Sequence, residues 1–452
     1  MAESSKQVSS SKRKLVMIFV IMMAVCLITD TGIIKTTDLV SKNVMNYWQV
    51  PIFFVISFGL LMSQFFLLYF IRRRSLQIGG SKHIELNIIW KIVFGTQLGL
   101  SVILLLILSQ VLVSHRYNIL LVSVSTIISY QLAIIMMGIL AQQFFSWFSV
   151  RKNLLVLIYG FASAVLVLNS IVSLAFIIIG LSSRPEVVGP HYAYGLYAYE
   201  PGSIMDVLNK SNTITAVVSF ILMWIGTSLI LRSYSFRLGK KLYWVVACIP
   251  LVYFLSQFIP SSVSILSFII SSNPVFLGLL FTLIFTFSKA IGGLMFAIAF
   301  YIASRSVSQE SIVRDYMFVA AFSTVLFFLS GQTTATDASY PPFGLISIMA
   351  TGLTSNFLFI GLYSSAVSVS GDMTLRKSIR NMVEDQSKFL ERIGTAQMEG
   401  QLQKKVLNLA KEHHHRMEEE SGVESSMTEG ELKQYLGKVL TEIKHTTNDP
   451  LK

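Results

Sequence analysis

The chain has 452 residues, of which 53% are hydrophobic and only 13% are charged. Repeated apolar runs of about 20 residues exclude a soluble globular protein and predict an all-α, polytopic transmembrane helix bundle. The net charge of +12 would suggest nucleic-acid binding in a soluble protein, but residues 1–371 hold 23 Lys and Arg against 10 Asp and Glu, whereas residues 372–452 hold 13 against 14. We therefore expect the lipid bilayer, and no nucleic acid, as a partner. The same change in composition divides the chain into a transmembrane body, 1–371, and a cytoplasmic helical tail, 372–452.

Hydropathy and flanking charge predict ten transmembrane spans, with both termini in the cytoplasm. When the N-terminus is placed inside, the inner segments hold 17 Lys and Arg residues and the outer segments hold five. Such a bias is expected in the cell membrane, because basic loops stay on the cytoplasmic side. Residues 260–274 are expected to form an outer loop, an interfacial helix or a re-entrant segment. The predicted spans are residues 15–34, 51–71, 88–113, 119–146, 154–180, 213–231, 242–259, 275–304, 312–330 and 343–368.

The apolar run 275–304 carries a lysine, Lys289, at its centre. An ionisable group inside the bilayer is costly, so it needs an internal partner or marks a functional site. Asp30 in the first span is the expected partner, because spans one and eight run in opposite directions and the two side chains lean toward each other. We expect this intramembrane charge pair to be structural, or to form an ion- or substrate-coupled site.

The longest outer segment, 181–212, contains a tyrosine-rich palindrome around Gly195. A glycine at this position suits a two-residue hairpin turn, which would put four tyrosine rings on one face. Two interpretations remain open: an aromatic belt at the membrane interface, or a lid over an outward-facing pocket. The candidate residues of this outer aromatic loop are His191, Tyr192, Tyr194, Tyr197, Tyr199 and Glu200.

The tail begins with an amphipathic helical pattern, because apolar residues recur every three or four positions. Such a face requires a partner surface. The alternatives are a helical hairpin, with a second helix starting at the capping-box pattern of Thr428 and Glu431, a coiled coil between chains, or docking of a cytoplasmic protein. Three consecutive histidines, 413–415, point about 100° apart on a helix and are not expected to bind a metal. The tail interaction face consists of Leu375, Ile379, Met382, Phe389, Ile393, Leu402, Val406 and Leu409.

The sequence contains no catalytic motif that we recognise. The HExxH, GxSxG and GxxxxGK[ST] patterns are absent, and no histidine lies in a predicted span. The two cysteines, Cys26 and Cys248, both lie in apolar spans, so neither a disulfide nor a cysteine-based metal site is indicated. We therefore expect neither an enzyme nor a cofactor.

The segment 378–402, SIRNMVEDQSKFLERIGTAQMEGQL, together with the ten-span body, resembles uncharacterised archaeal polytopic membrane proteins. The resemblance implies a location in the cell membrane and gives no residue a role. Two functions fit the patterns. One is a membrane sensor or assembly scaffold, whose outer loop meets a ligand or partner and whose tail oligomerises or recruits a cytoplasmic protein. The other is a small-molecule or ion transporter with a site around Lys289 and Asp30.

Overall fold

The chain is helical throughout the residues that the structure describes, and no strand is present among them. The structure is a computed structural model, and it describes residues 2–37, 42–75, 82–183, 199–232, 239–258, 284–307, 311–331, 340–371 and 385–421. These ranges contain eleven helices: α1 Ala2–Thr37, α2 Lys42–Ser75, α3 Lys82–Ser114, α4 Ile119–Val150, α5 Leu154–Ser183, α6 Ile204–Leu231, α7 Lys240–Ser256, α8 Ser288–Ser306, α9 Ile312–Ser330, α10 Leu345–Gly371 and α11 Asp385–Ser421.

Eight of the described helices, α1 to α6 with α9 and α10, are long and apolar enough to cross a membrane. They coincide with eight of the ten predicted spans, so a multi-pass, membrane-embedded helical protein is confirmed. Helices α7, of 17 residues, and α8, of 19 residues, lie in the remaining two predicted spans and are not among these eight. Residues 259–283, which include the segment predicted as a loop or re-entrant helix, lie outside the described ranges. The count of ten spans therefore stays a prediction.

The position of Lys289 differs from the sequence-based expectation. Helix α8 begins at Ser288, and a turn at residues 286–287 separates it from the helical residues 284–285. Lys289 therefore lies in the first turn of a helix, whereas the apolar pattern predicted the middle of one continuous span. The N-cap residue is Phe287, whose side chain makes no capping hydrogen bond.

Helix α10 is the central helix of the bundle, because every residue of its most apolar stretch is buried. It packs mainly on α4 and α9, with further contacts to α1, α2, α3 and α11. Glycines allow these close contacts: a Cβ atom on Gly361 would lie 2.6 Å from the backbone nitrogen of Ala320, and one on Gly352 would lie 2.6 Å from the carbonyl oxygen of Ser129. Small residues are the usual means by which membrane helices approach each other.

The outer helices of the bundle keep one apolar face exposed. Val55 on α2 and Val113 on α3 are 71% and 82% exposed, whereas Phe53 and Leu104 on the same two helices are fully buried. An aqueous protein rarely exposes so much contiguous apolar surface, but hydrocarbon chains cover it at little cost. These faces are therefore the lipid-contacting surface of the protein.

Candidate functional site

Asp30 is fully buried and lies against the N-terminus of the central helix α10. Its carboxylate accepts three hydrogen bonds: from the Gly344 backbone N–H at 2.8 Å, from the Ser347 backbone N–H at 2.9 Å and from the Ser347 hydroxyl at 2.8 Å. The first N–H groups of a helix have no partner within the helix and attract negative charge. Asp30 on α1 therefore caps α10 from another part of the chain.

The sequence around the start of α10 explains why an external cap is needed. The residue that precedes the helix is Gly344, which has a φ of 90° and no side chain to accept a hydrogen bond. Asp30 bonds both the N–H of Gly344 and the N–H three residues later, which are the two donors that a capping box normally satisfies within one helix. The N-terminus of α10 thus depends on α1 for the acceptor of two of its backbone N–H groups.

The predicted charge pair between Asp30 and Lys289 is not the arrangement that the structure has. Within the described residues, the hydrogen bonds of Asp30 run to Gly344 and Ser347 and not to Lys289. Lys289 instead lines a cavity together with residues of α4, α5, α6, α9 and α10, and Asp30 is not among the lining residues. The predicted charge pair is therefore wrong, because two backbone N–H groups and one hydroxyl take the place of a cation at Asp30.

The cavity beside Lys289 has a volume of about 40 Å³ and a mixed polar and aromatic lining. Six helices, α4, α5, α6, α8, α9 and α10, contribute to it. Lys289 is the single formal charge among the described lining residues, and no acidic side chain is among them. Besides Lys289, the polar residues of the lining are Tyr130, Asn169, Ser170, Ser173, Ser219 and Thr351.

A hydrogen-bond network between α5 and α6 supports one wall of this cavity. The side-chain amide of Asn169 donates to Asn212 Oδ1 at 2.8 Å and to Thr215 Oγ1 at 2.9 Å. The hydroxyl of Ser173 donates to the same Asn212 oxygen at 2.8 Å. Polar groups inside a membrane helix pair are usually satisfied in this way, and the network fixes the positions of two lining residues.

The first half of the tail helix α11 packs against one end of the bundle. Phe389, Leu390 and Ile393 are fully buried, and the Phe389 ring lies 5.6 Å from the Tyr159 ring and 6.5 Å from the Phe300 ring. The two tail-face residues that the structure describes in this half therefore contact the body of the same chain. This arrangement differs from the predicted helical hairpin, in which the partner surface would have been the tail itself.

Two polar contacts align the tail helix with the end of α4. Trp147 Nε1 donates a hydrogen bond to Gln397 Oε1 at 2.7 Å, and Arg151 Nη2 lies 2.9 Å from Glu399 Oε1. Gln397 and Glu399 are buried, whereas the Arg151 side chain is 39% exposed, so solvent screens the ion pair from one side. Together these contacts fix both the rotation and the axial position of α11 on the bundle.

The second half of the tail helix leaves the bundle. Leu402, Val406 and Leu409 are 46%, 40% and 46% exposed, and they follow one another at spacings of four and three residues on one helix face. The predicted tail face is therefore divided into a buried part and an exposed part. Its first three residues, Leu375, Ile379 and Met382, lie outside the described ranges, as does the predicted second tail helix after Ser421.

The outer aromatic loop is described only at its end. Tyr199 is buried in a small cluster with Phe176 and Met205, and its ring lies 6.1 Å from the Phe176 ring. Glu200 is exposed, and its carbonyl oxygen accepts from the Ser203 N–H just before α6. His191, Tyr192, Tyr194 and Tyr197 lie outside the described residues, so the predicted hairpin stays a prediction.

Loss of the tail contact at Trp147 should be measurable. We expect Trp147→Phe to lower the free energy of unfolding by about 1–2 kcal/mol, because the buried Gln397 oxygen loses its donor. Limited proteolysis should then cut α11 faster than in the wild type. Trp244→Phe is the control, since Trp244 is 41% exposed on α7. Equal proteolysis of the two variants would contradict the docking role of Trp147.

Comparisons with known proteins give this chain no family. No protein-family model, no curated protein and no solved structure matches it. The geometry of the chain therefore carries the functional argument alone.

Several residues at these sites escaped sequence reasoning. Trp147, Arg151, Gln397 and Glu399 are common interfacial or surface residue types, and their pairing spans about 250 residues of chain. Tyr130 lies in an apolar span with no distinctive spacing. One signal was present for α10: its start at Gly344 has no Ser, Thr, Asp or Asn in the cap position, which indicates that an acceptor must come from elsewhere.

Proposed function

We propose that the protein is a membrane sensor or assembly scaffold of ten spans, with both termini in the cytoplasm and the tail helix as its output element. The observation that carries this proposal is the split character of α11. Its first half is buried against α4, α5, α6, α8 and α10, and its second half leaves Leu402, Val406 and Leu409 exposed.

The continuity of α11 supports a mechanical role. A helix of 37 residues is about 55 Å long, and the part beyond residue 400 extends for about 30 Å. Phe389, Leu390 and Ile393 are inserted among the ends of several helices. A displacement of these helices relative to each other would therefore also displace the second half of α11. The tail would thereby convert a rearrangement inside the membrane into a displacement of its exposed face.

The exposed face is suited to self-association. Leu402, Val406 and Leu409 follow the three- and four-residue spacing of a coiled-coil seam. The end of the bundle on which α11 packs also carries Arg151 and Arg305. Basic residues of this kind are expected on the cytoplasmic side, which agrees with the proposed topology. We infer that two or more chains assemble through this face.

The test is the oligomeric state of the purified full chain. We expect the wild type to be oligomeric and the triple variant Leu402→Glu, Val406→Glu, Leu409→Glu to be monomeric, because like charges would oppose each other in the seam. Light scattering coupled to size exclusion in detergent, with chemical crosslinking in intact membranes, measures this. The unfolding temperature of the triple variant should differ little from that of the wild type, since these three side chains are exposed.

A charge-matched control lies outside this apolar face on the same helix. Gln403→Glu, Lys404→Gln and Asn408→Glu change the charge by the same three units, and all three residues are exposed. This control should remain oligomeric. A wild-type chain that is monomeric, or a Leu402, Val406 and Leu409 variant that stays oligomeric, would refute assembly through the tail.

A small-molecule or ion transporter is the second candidate, and the cavity at Lys289 favours it. Substrate sites of transporters often lie inside the bundle at interrupted helices, and α8 begins next to this cavity after a turn. Deletion of the tail should leave uptake into proteoliposomes intact under this function, whereas Lys289→Met should abolish it. Asp30 would then hold the bundle together without contacting the substrate.

A further inference from the structure

Three basic residues gather where α2 ends and α3 begins. Arg72 and Arg73 lie near the C-terminal end of α2, and Lys91 lies in the first third of α3. All three residues are exposed. None of them makes a side-chain hydrogen bond or an ion pair with a residue that the structure describes. Their charges are therefore available to an anion from outside the chain.

Contacts between α2 and α3 bring these charges to one level of the bundle. Arg72 Cζ lies over the Trp90 ring, 3.9 Å from its centroid, and the Phe65 ring lies 6.0 Å from the Phe94 ring. The two helices are thus antiparallel here, since a higher number on α2 meets a lower number on α3. Lys91 directly follows Trp90, so its Cα atom lies within about 1.5 Å of the same level along the axis.

The Trp90 ring positions the Arg72 guanidinium group. Trp90 stacks on Phe94, with 5.0 Å between the ring centroids and 21° between the planes, which fixes the orientation of the indole. A guanidinium group over an aromatic face keeps the N–H donors at its rim free, and this rim matches two oxygens of a phosphate. The buried indole N–H of Trp90 also makes no hydrogen bond within the described chain, so this stack still lacks an acceptor.

An apolar surface continues from the three cations along the lipid-contacting side of both helices. On α2, Met62 and Tyr69 are exposed and lie seven residues apart on one face, and Arg73 follows four residues later on that face. On α3, the exposed Leu98 lies seven residues after Lys91 and shares its face. Positive charge at one end and apolar side chains beyond it match the polarity of an anionic phospholipid.

We propose that Arg72, Arg73 and Lys91 bind the phosphate of an anionic phospholipid whose acyl chains lie along the exposed faces of α2 and α3. Arg72 supplies the fork of donors, and the other two residues add positive charge. A zwitterionic lipid fits less well, because its own cation would meet these three charges. In the proposed topology the site faces the inner leaflet, where anionic lipids attract basic residues. The site contains no tail residue and is therefore separate from the proposed assembly face.

Thermal unfolding of the purified full chain in a neutral detergent tests the proposal. Phosphatidylglycerol, phosphatidylcholine or inorganic phosphate is titrated at constant ionic strength. Phosphatidylglycerol should raise the unfolding temperature saturably, since a ligand that binds only the folded state stabilises it. Phosphatidylcholine should raise it less and without saturation. Inorganic phosphate should not raise it, because it lacks the acyl chains that contact α2 and α3.

Substitutions with a charge-matched control identify the site. Arg72→Gln and Lys91→Gln should each weaken the apparent affinity for phosphatidylglycerol about fivefold, and their combination by more than about tenfold. Trp90→Leu should weaken it about threefold, because Arg72 loses the ring that positions it. The control combines Lys240→Gln with Lys241→Gln, which removes two exposed charges at the start of α7. It should leave the affinity within about twofold of the wild type.

Three results would overturn the lipid site. These are the absence of a saturable shift with phosphatidylglycerol, an equal shift with phosphatidylcholine or inorganic phosphate, and an equal loss of affinity in the Lys240 and Lys241 control and the Arg72 and Lys91 double variant. Wild-type affinity in Trp90→Leu would overturn the positioning of Arg72 by Trp90. None of these results bears on the oligomeric state of the tail variants, so failure of this site and failure of the proposed assembly can be told apart.

Discussion

Asp30→Ala is expected to lower the free energy of unfolding by about 2–5 kcal/mol, because each buried amide that loses its acceptor costs about 1–3 kcal/mol. The substitution removes the acceptor of two backbone N–H groups, those of Gly344 and Ser347, and of the Ser347 hydroxyl. These donors lie at the end of a helix whose residues 345–367 are all buried, so water cannot replace the carboxylate. The variant no longer has to bury a carboxylate, and the desolvation cost that it avoids offsets part of this loss. The expected range is wide for this reason.

Unfolding in a graded detergent series, followed by circular dichroism, measures the effect of Asp30→Ala. Asp30→Asn should fall between the wild type and Asp30→Ala, because its amide keeps one acceptor oxygen. Asp206→Ala is the control, since Asp206 also accepts a backbone N–H at the start of a helix, that of Gly202 before α6, but its other partner is the exposed Lys210, so its loss should cost less. Equal losses at Asp30 and Asp206 would contradict the role of Asp30 as an essential cap.

A double-mutant cycle distinguishes this cap from the charge pair that the sequence predicts. If Asp30 and Lys289 neutralised each other, Asp30→Asn combined with Lys289→Met would be milder than either single change. The structure gives the two residues different surroundings, so the two losses should add to within about 0.5 kcal/mol. A double variant that is more stable than either single variant would support the predicted charge pair instead.

Gly361→Val is expected to destabilise the bundle by about 3 kcal/mol, at the upper end of the usual cost of overpacking. A Cβ atom at this position would lie 2.6 Å from the backbone nitrogen and 2.8 Å from the Cα atom of Ala320. Backbone atoms cannot rotate away as a side chain can, so α9 and α10 would have to separate. That separation would reduce packing along the largest helix interface of the bundle.

The matched control for Gly361→Val is Gly99→Val on α3, where no atom lies within 4 Å of the added Cβ. Valine has a slightly better helix propensity than glycine, so this control should change stability by less than about 1 kcal/mol. The unfolding temperatures of the two purified variants make the comparison. If Gly361→Val unfolds at the same temperature as Gly99→Val, the close approach of α9 and α10 is not required.

Sequence reasoning predicted the class of the fold well, because apolar runs of membrane length are a strong signal. It could not find the break before α8, since residues 286–287 are Thr and Phe and carry no glycine or proline. The partner of Asp30 was missed for a related reason. A buried carboxylate suggests a cation in the sequence, but the N–H groups of a helix end can bind it instead, and the only sign of them in the sequence is the absence of a capping side chain at Gly344.

The tail shows a different limit of sequence reasoning. Phe389 and Ile393 share one apolar pattern with Leu402 and Val406, yet the first two are buried against the body and the last two are exposed. Periodicity identifies which face of a helix needs covering but not where the covering surface ends. That boundary depends on the ends of α4 and α10, which are distant in the chain and close in space.

The cap on α10 also has a consequence for how the chain is made. Asp30 and Gly344 are separated by 314 residues, so α1 enters the membrane long before the helix whose N–H groups donate to Asp30 exists. At a synthesis rate of about 5–20 residues per second, this interval lasts roughly 15–60 s. During this interval the Asp30 side chain has to be neutral, in contact with water or inside the insertion machinery, because an ionised carboxylate in lipid is costly. Helix α1 thus reaches its final environment only when α10 has been made, and premature release of α1 into lipid would be a specific way for this protein to misassemble.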